Sequence, residues 1–259
     1  MKVGLVLSGG GARCIAHLGM LKVLEENDVK VDYISGASAG SIAGALYSYG
    51  YTPDEILDII LNTNFMKFLK PAFNWRSLLK LESAAPFLRE ILPEDSFESL
   101  KIPLTIAMTN LHKAKVKYVS KGPLVKPIIA SCSIPVVFDP VTIKDTQYID
   151  GGILDNLPVK PAKKNTDFVI AFHANPIAGD YKMSNWRDLM ERSLLMAISS
   201  ATYLKKKKCD IFWEPPELQA FKVFDFKKAK DLYEIGYNYG LERVEKGDLT
   251  PLMSQNEKA

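Results

Sequence analysis

The sequence predicts an α/β protein, a mostly parallel sheet covered by helices, and three observations carry that prediction. Two strand-to-helix units follow one another in the first fifty residues, each turning through glycines. Strand-like runs recur at 103–110, 116–120, 147–149 and 167–172. The length of 259 residues suits one large domain of this class at least as well as two small ones, so residues 1–250 are read as a single domain.

Taken in order, Lys2 to Ser8 is a continuous apolar strand. It is too short, and too closely followed by glycines, for a secretory leader. Ala12 to Glu26 then carries Ile15, Leu18, Leu21 and Leu24 at helical spacing. Val31 to Ser35 reads as the second strand, and Ser41 to Tyr49 as a helix ended by Gly50 and Pro53. Residues 53–92 look like a helical cap interrupted by Pro71 and Pro86, with Phe65, Phe68, Phe73 and Trp75 as an apolar surface. The runs at 103–110 and 116–120 pair through the turn at 111–115. After Pro251 the chain reads as a flexible tail, 251–259.

Composition is that of an ordinary soluble protein, 47% hydrophobic and 24% charged. The 33 basic and 30 acidic side chains leave a net charge of +3, which gives no ground for a nucleic-acid partner. Cys14, Cys132 and Cys209 form neither a CxxC pair nor a cluster at metal-ligand spacing. No metal, cofactor or disulfide framework is expected, and a reducing, cytoplasmic setting is the simplest reading. The uncharged stretch from Tyr33 to Pro53 is too rich in Gly, Ser, Ala and Tyr for a bilayer helix. Oligomeric state is not legible.

The first chemical signal is Gly36-Ala37-Ser38-Ala39-Gly40, set between the second strand and second helix. In that context a G-x-S-x-G match describes a sharp turn that presents a serine nucleophile. Glycines two residues before and after Ser38 relieve clash across the turn, and Ala37 and Ala39 are small. The helix beginning at Ala39 aims its first amides and positive dipole end at a developing oxyanion. A second signal is Gly9-Gly10-Gly11-Ala12-Arg13, between the first strand and first helix. Its amides suit a phosphate or an oxyanion. A dinucleotide fingerprint fails because Cys14 stands where glycine belongs and no carboxylate ends the second strand; a Walker A loop lacks its Gly-Lys-Ser/Thr. An oxyanion hole fits better, beside a plain tight turn.

Asp150-Gly151-Gly152 follows the strand at 147–149, and on spacing alone it is equally an Asp-Gly turn. Together with Gly9-Gly10-Gly11-Ala12-Arg13, Ala16-His17-Leu18-Gly19, Gly36-Ala37-Ser38-Ala39-Gly40, and Ala130-Ser131-Cys132-Ser133-Ile134-Pro135 with Phe138 and Pro140, it resembles the patatin-like phospholipases. The resemblance spans residues 3 to about 160, in family order. It implies a three-layer α/β/α fold, a Ser38–Asp150 dyad without histidine, and the Gly9 to Arg13 loop with Ala39 as oxyanion hole. It also implies a lipid ester substrate and structural roles for Gly36, Gly40, Gly151 and Gly152. Cys14 departs from the family, which has glycine after the arginine.

A carboxylate of ordinary pKa is a weak base at neutral pH, so partial burial should raise Asp150 toward the working range. Among the histidines, His17 lies four residues after Arg13 and reads as a brace for the loop, and His112 as solvated. His173 ends a strand, where active sites of parallel sheets gather, and a Ser38–Asp150–His173 triad is the rival to the dyad. Trp186, Leu189, Met190, Leu194, Ala197, Ala201 and Leu204 recur at helical spacing before Lys205 to Lys208. They form either a core-facing helix whose lysines complement its dipole or a basic edge that meets anionic phospholipid. The expected activity is phospholipase A, lysophospholipase or esterase. A non-catalytic protein on the same fold and an acyltransferase are the alternatives.

Overall fold

The computed structural model describes residues 1–63, 70–71, 79–177, 179 and 183–256. In chain order the elements are β1 (Val3–Leu7), α1 (Ala16–Glu26), β2 (Tyr33–Ala37), α2 (Ala39–Tyr49), α3 (Pro53–Asn62), β3 (Lys70–Pro71), β4 (Leu79–Lys80), α4 (Ala85–Ile91), β5 (Leu104–Asn110) and β6 (Lys115–Val119). Then come α5 (Val125–Ser131), β7 (Val141–Ile143), β8 (Thr146–Asp150), α6 (Gly152–Asp155), α7 (Val159–Asn165), β9 (Phe168–Phe172), α8 (Trp186–Lys206), β10 (Ile211–Trp213), α9 (Ala229–Glu245) and α10 (Thr250–Asn256).

The main sheet runs β10-β9-β1-β2-β5-β8-β7, with β6 also paired to β5. From β10 to β5 every pairing is parallel, and β6, β8 and β7 add antiparallel ones. Strands alternate their side chains between faces, and here both faces are buried. Leu5, Leu7, Ile170 and Phe172 join the large core, while Val6, Val169 and Ala171 pack in a second cluster with Val159 and Ala162 of α7. That two-sided burial is why β1 and β9 read as unbroken apolar runs rather than alternating ones. The result is three layers.

The register of β5 positions the site. Its residues 104–107 pair with β2 in parallel, and its residues 108–110 pair with β8 in antiparallel. Over 106–110 its other edge is taken by β6. β2 and β8 therefore lie on the same edge of β5 and meet end to end, with Ala37 opposite Ala107 and Asp150 opposite Met108. The ends of these two strands carry Ser38 and Asp150. Gly151 makes the joint possible: a Cβ there would sit 2.0 Å from the Ala107 carbonyl oxygen.

Some expectations change. The cap region is not helical throughout, because a short β3–β4 ribbon lies between α3 and α4. Phe65, Phe68, Phe73 and Trp75 lie outside the described residues. The tail is helical through Asn256, with Leu252 buried. On α8 the inward face is offset from the predicted stripe. Leu195, Ile198 and Thr202 are buried, whereas Leu189 and Leu204 are exposed. Thr202 can turn inward because its hydroxyl donates to the Ile198 carbonyl, 3.0 Å away. No helix among the described residues is long and apolar enough to cross a membrane.

Candidate active site

Ser38 stands at the turn between β2 and α2 with φ 50° and ψ −133°, a conformation that L-residues rarely adopt. The flanking glycines let the turn close: a Cβ on Gly36 would lie 2.7 Å from the Gly40 carbonyl oxygen, and one on Gly40 would lie 2.3 Å from that of Ser8. The Ser38 hydroxyl donates to Asp150 Oδ2 at 2.7 Å, and the Gly152 amide donates to Oδ1 at 2.7 Å, so one oxygen is anchored while the other faces the serine. Both side chains are buried. Burial pushes the Asp150 carboxyl up to about 7, opposed by the hydrogen bonds from Ser38 and Gly152.

Ser131, quoted above only as part of a motif, holds the joint together. Its hydroxyl accepts from the Ser38 amide at 2.8 Å and donates to the Ala107 carbonyl at 2.7 Å, and its own carbonyl accepts from the Gly151 amide at 3.2 Å. One side chain thus touches the end of β2 and the middle of β5, and its backbone touches the end of β8. Ser131→Ala leaves the buried Ser38 amide without its acceptor. We expect a loss of about 1–3 kcal/mol in unfolding free energy, read by urea denaturation, together with a fall in kcat.

The glycine loop divides its labour in a way the sequence did not show. The Gly9 amide donates to the Asn156 carbonyl at 3.1 Å and the Ala12 amide to the Val223 carbonyl at 2.7 Å, so neither is free for an oxyanion. Gly10 and Gly11 have no acceptor for their amides among the described residues, and both line the cavity beside Ser38. Asn175 Nδ2 donates to the Gly9 carbonyl at 2.6 Å. Because a trans peptide points its N–H opposite its C=O, that bond turns the Gly10 amide the other way. Arg13 acts through its side chain, which donates from Nε to the Phe221 carbonyl at 2.7 Å and lies 3.7 Å from Glu191.

Cys14 is buried, with Sγ 3.3 Å from the Ser8 carbonyl oxygen, and fills the space under Gly10. Burial pushes its thiol well up. His17 Nε2 lies 3.1 Å from the same carbonyl, and burial pushes the imidazole down to about 4, so the ring is neutral and donates there. His173 is turned elsewhere: its Nδ1 lies 2.5 Å from Glu214 Oε1, and its ring packs near Phe212 and Tyr203. It does not line the cavity at Ser38.

The cavity walls are apolar, formed by Ile134, Ile153, Leu194, Leu195, Ile198 and Val223. Asn175 lines it too, with a buried Oδ1 that has no partner among the described residues. Asn175 and Asn156 escaped sequence reading as site residues; the usable signal for Asn175 is a polar residue just past the carboxyl end of a parallel strand. The cavity opens to solvent, and its volume is about 50 Å³.

Comparison with known proteins agrees with this architecture. The chain is 27% identical over 298 residues to a lysophospholipase, NTE1, of Coccidioides immitis, an alignment covering 99% of this chain and 18% of the fungal protein. It is 33% identical over 178 residues to an uncharacterized NTE family protein of Mycobacterium tuberculosis, covering 67% of this chain and 49% of that one. The chain therefore spans under a fifth of the fungal relative and about half of the mycobacterial one. VipD from Legionella pneumophila shares the fold with a TM-score of 0.55 at 16% identity, over 95% of this chain and 67% of its own. The family model for patatin-like phospholipase matches residues 5–163, the stretch that holds β1, the elbow and the β8 terminus. The chain belongs to the patatin-like phospholipase family.

Proposed function

We propose that this protein hydrolyses lipid acyl esters, as a phospholipase A, lysophospholipase or esterase, through an acyl-enzyme on Ser38. The observation that carries the reading is the 2.7 Å hydrogen bond from the Ser38 hydroxyl to a buried Asp150 whose carboxyl is pushed up to about 7. Asp150 takes the hydroxyl proton as Oγ attacks the ester carbonyl, then returns it to the leaving alcohol. Water, giving a proton to the same carboxylate, then attacks the acyl carbonyl; the acyl–Oγ bond breaks, the fatty acid leaves, and Asp150 returns the proton to Ser38 Oγ. The Gly10 and Gly11 amides receive the oxyanion, assisted by Ala39 at the start of α2. The lysophospholipase name of the fungal relative makes a lysophospholipid the first substrate to try.

A cavity of about 50 Å³ is small beside the roughly 300–1,000 Å³ typical of ligand sites, and it opens to solvent, so an acyl chain either runs out along the apolar walls or displaces Leu194, Leu195 and Ile198 of α8. The outward side of α8 carries exposed Leu189, Met196 and Leu204, followed by Lys205 to Lys208. Apolar surface beside Lys206 to Lys208 suits transient contact with an anionic bilayer, where each lysine near the surface adds about 1 kcal/mol; Lys205 is held by Asp155.

A fluorophosphonate probe tests the chemistry. We expect one phosphonyl adduct, mapped to Ser38 by peptide mass spectrometry, and none on Ser38→Ala. A wild-type protein that stays unlabelled would overturn the proposal.

A further inference from the structure

On the face opposite the α1–α9 layer, α7 and the carboxyl end of α8 flank a second, open cavity, of about 560 Å³. Lys160, Lys163 and Lys164 enter it from α7, and Lys205 and Lys208 from the other side. The i, i+3 and i+4 spacing puts the first three on one helix face. Asp155 and Tyr118 also line it. Asp155 is buried and already engaged, its Oδ1 2.5 Å from Lys205 Nζ and its Oδ2 accepting from the Tyr118 hydroxyl. Lys163 Nζ donates to the Lys208 carbonyl at 3.2 Å. Among the described residues, Lys160, Lys164 and Lys208 have no carboxylate within ion-pair distance.

Five lysines against one aspartate leave the cavity at +4, more than the +3 of the whole chain, so the remainder of the molecule is slightly acidic in sum. Lys163, Lys164 and Lys205 stand in the last turns of α7 and α8, where they complement the helix dipoles, and four of the five lysines are exposed. Convergence on one concavity also concentrates the field where an anion would sit. Ammonium groups bind phosphate as point charges, and no arginine among the described residues lines this cavity to grip a planar carboxylate or a phosphate in two places. The volume lies within the range of small-ligand sites.

We propose that this cavity binds a phosphate monoester, either a soluble sugar or polyol phosphate or the headgroup of a lipid bearing a terminal phosphate. A monoester carries about −1.5 to −2 charges and three acceptor oxygens at neutral pH, against a single charge on a diester. It therefore makes the better match to several unpaired lysines.

The test is run on Ser38→Ala protein, so that it reads binding without hydrolysis and stands or falls separately from the proposed activity. Glycerol 3-phosphate is titrated calorimetrically with glycerol as control, and vesicles containing phosphatidic acid are compared with phosphatidylglycerol vesicles of equal charge. Each is repeated with Lys160→Gln/Lys164→Gln, two exposed positions whose loss leaves the fold intact. Saturable binding of glycerol 3-phosphate, weakened at least tenfold by the double substitution, supports a soluble ligand. Retention on phosphatidic acid over phosphatidylglycerol by at least fivefold, abolished by the same substitution, supports a lipid one. Absence of soluble binding together with equal retention on both vesicles overturns the proposal, as does any binding that the double substitution leaves unchanged.

Discussion

Ser38→Ala is expected to lower kcat/KM on an ester substrate by about 10⁴-fold or more, to the level supported by the remaining amides and apolar walls. The backbone at Ser38 keeps its unusual dihedral whichever residue is there, so a thermal melt should show a folded protein. The substitution also removes the hydrogen bond that holds Asp150 down, and the carboxyl should rise further above about 7. A carboxyl-sensitive infrared band followed across pH would read that rise. A Ser38→Ala enzyme that retained turnover would remove the nucleophile from the proposed mechanism and leave the family fold without its chemistry.

Asp150→Asn carries the second largest expected effect, a loss of about 10²–10⁴-fold in kcat/KM, with a change in pH dependence that a structural role would not produce. In the proposed mechanism the base is the ionised carboxylate. Activity should therefore climb about tenfold per pH unit below about 7 and level off above it. The Asn variant should lack that limb. Stability moves the other way. The folded carboxyl titrates near 7 and the unfolded one near the usual ~3.9. Between those values the native state holds more protons, so stability is fully present below about pH 4 and falls as pH rises through about 7. At pH 8 the Asn variant should exceed wild type in unfolding free energy by an amount on the order of 1–4 kcal/mol, seen as a higher melting temperature, and the gap should close toward pH 4. The same profile tests His173: the limb is expected to survive His173→Ala, whereas a triad would lose it.

Much of this was legible in the residues. β1, the elbow and the first two helices follow from apolar runs bounded by glycines, because local sterics and periodicity act within a few residues. Ser38 came from the same local physics. Asp150 did not: as an Asp-Gly it is indistinguishable from a turn, and what singles it out is the register of β8 on β5 opposite β2, a pairing between segments far apart in sequence. Ser131 was hidden for the same reason, its value lying in three contacts with three different segments. The division of the glycine loop into engaged and free amides depends on acceptors at Asn156 and Val223, which no local pattern announces. Sequence patterning also assigned no element between Lys208 and Pro251, yet β10 extends the sheet and α9 packs on α1. Trp213 secures that edge, stacked 5.3 Å from Phe172, with its indole nitrogen donating to Asp248 at 2.8 Å.

The end-to-end meeting of β2 and β8 on one edge of β5 has an evolutionary side. Ser38 and Asp150 are 112 residues apart in the chain, yet β5 serves as a ruler for both, and their spacing follows from ladder register rather than from the length of anything between them. Insertions or deletions in the stretch at 50–103 and in the exposed turn at 111–114 can be absorbed without moving either reacting group, provided the register of β5 and the contacts of Ser131 are kept. Substrate range can diversify in those stretches while the bond-breaking geometry stays constant, so that relatives of very different overall length can share one catalytic distance.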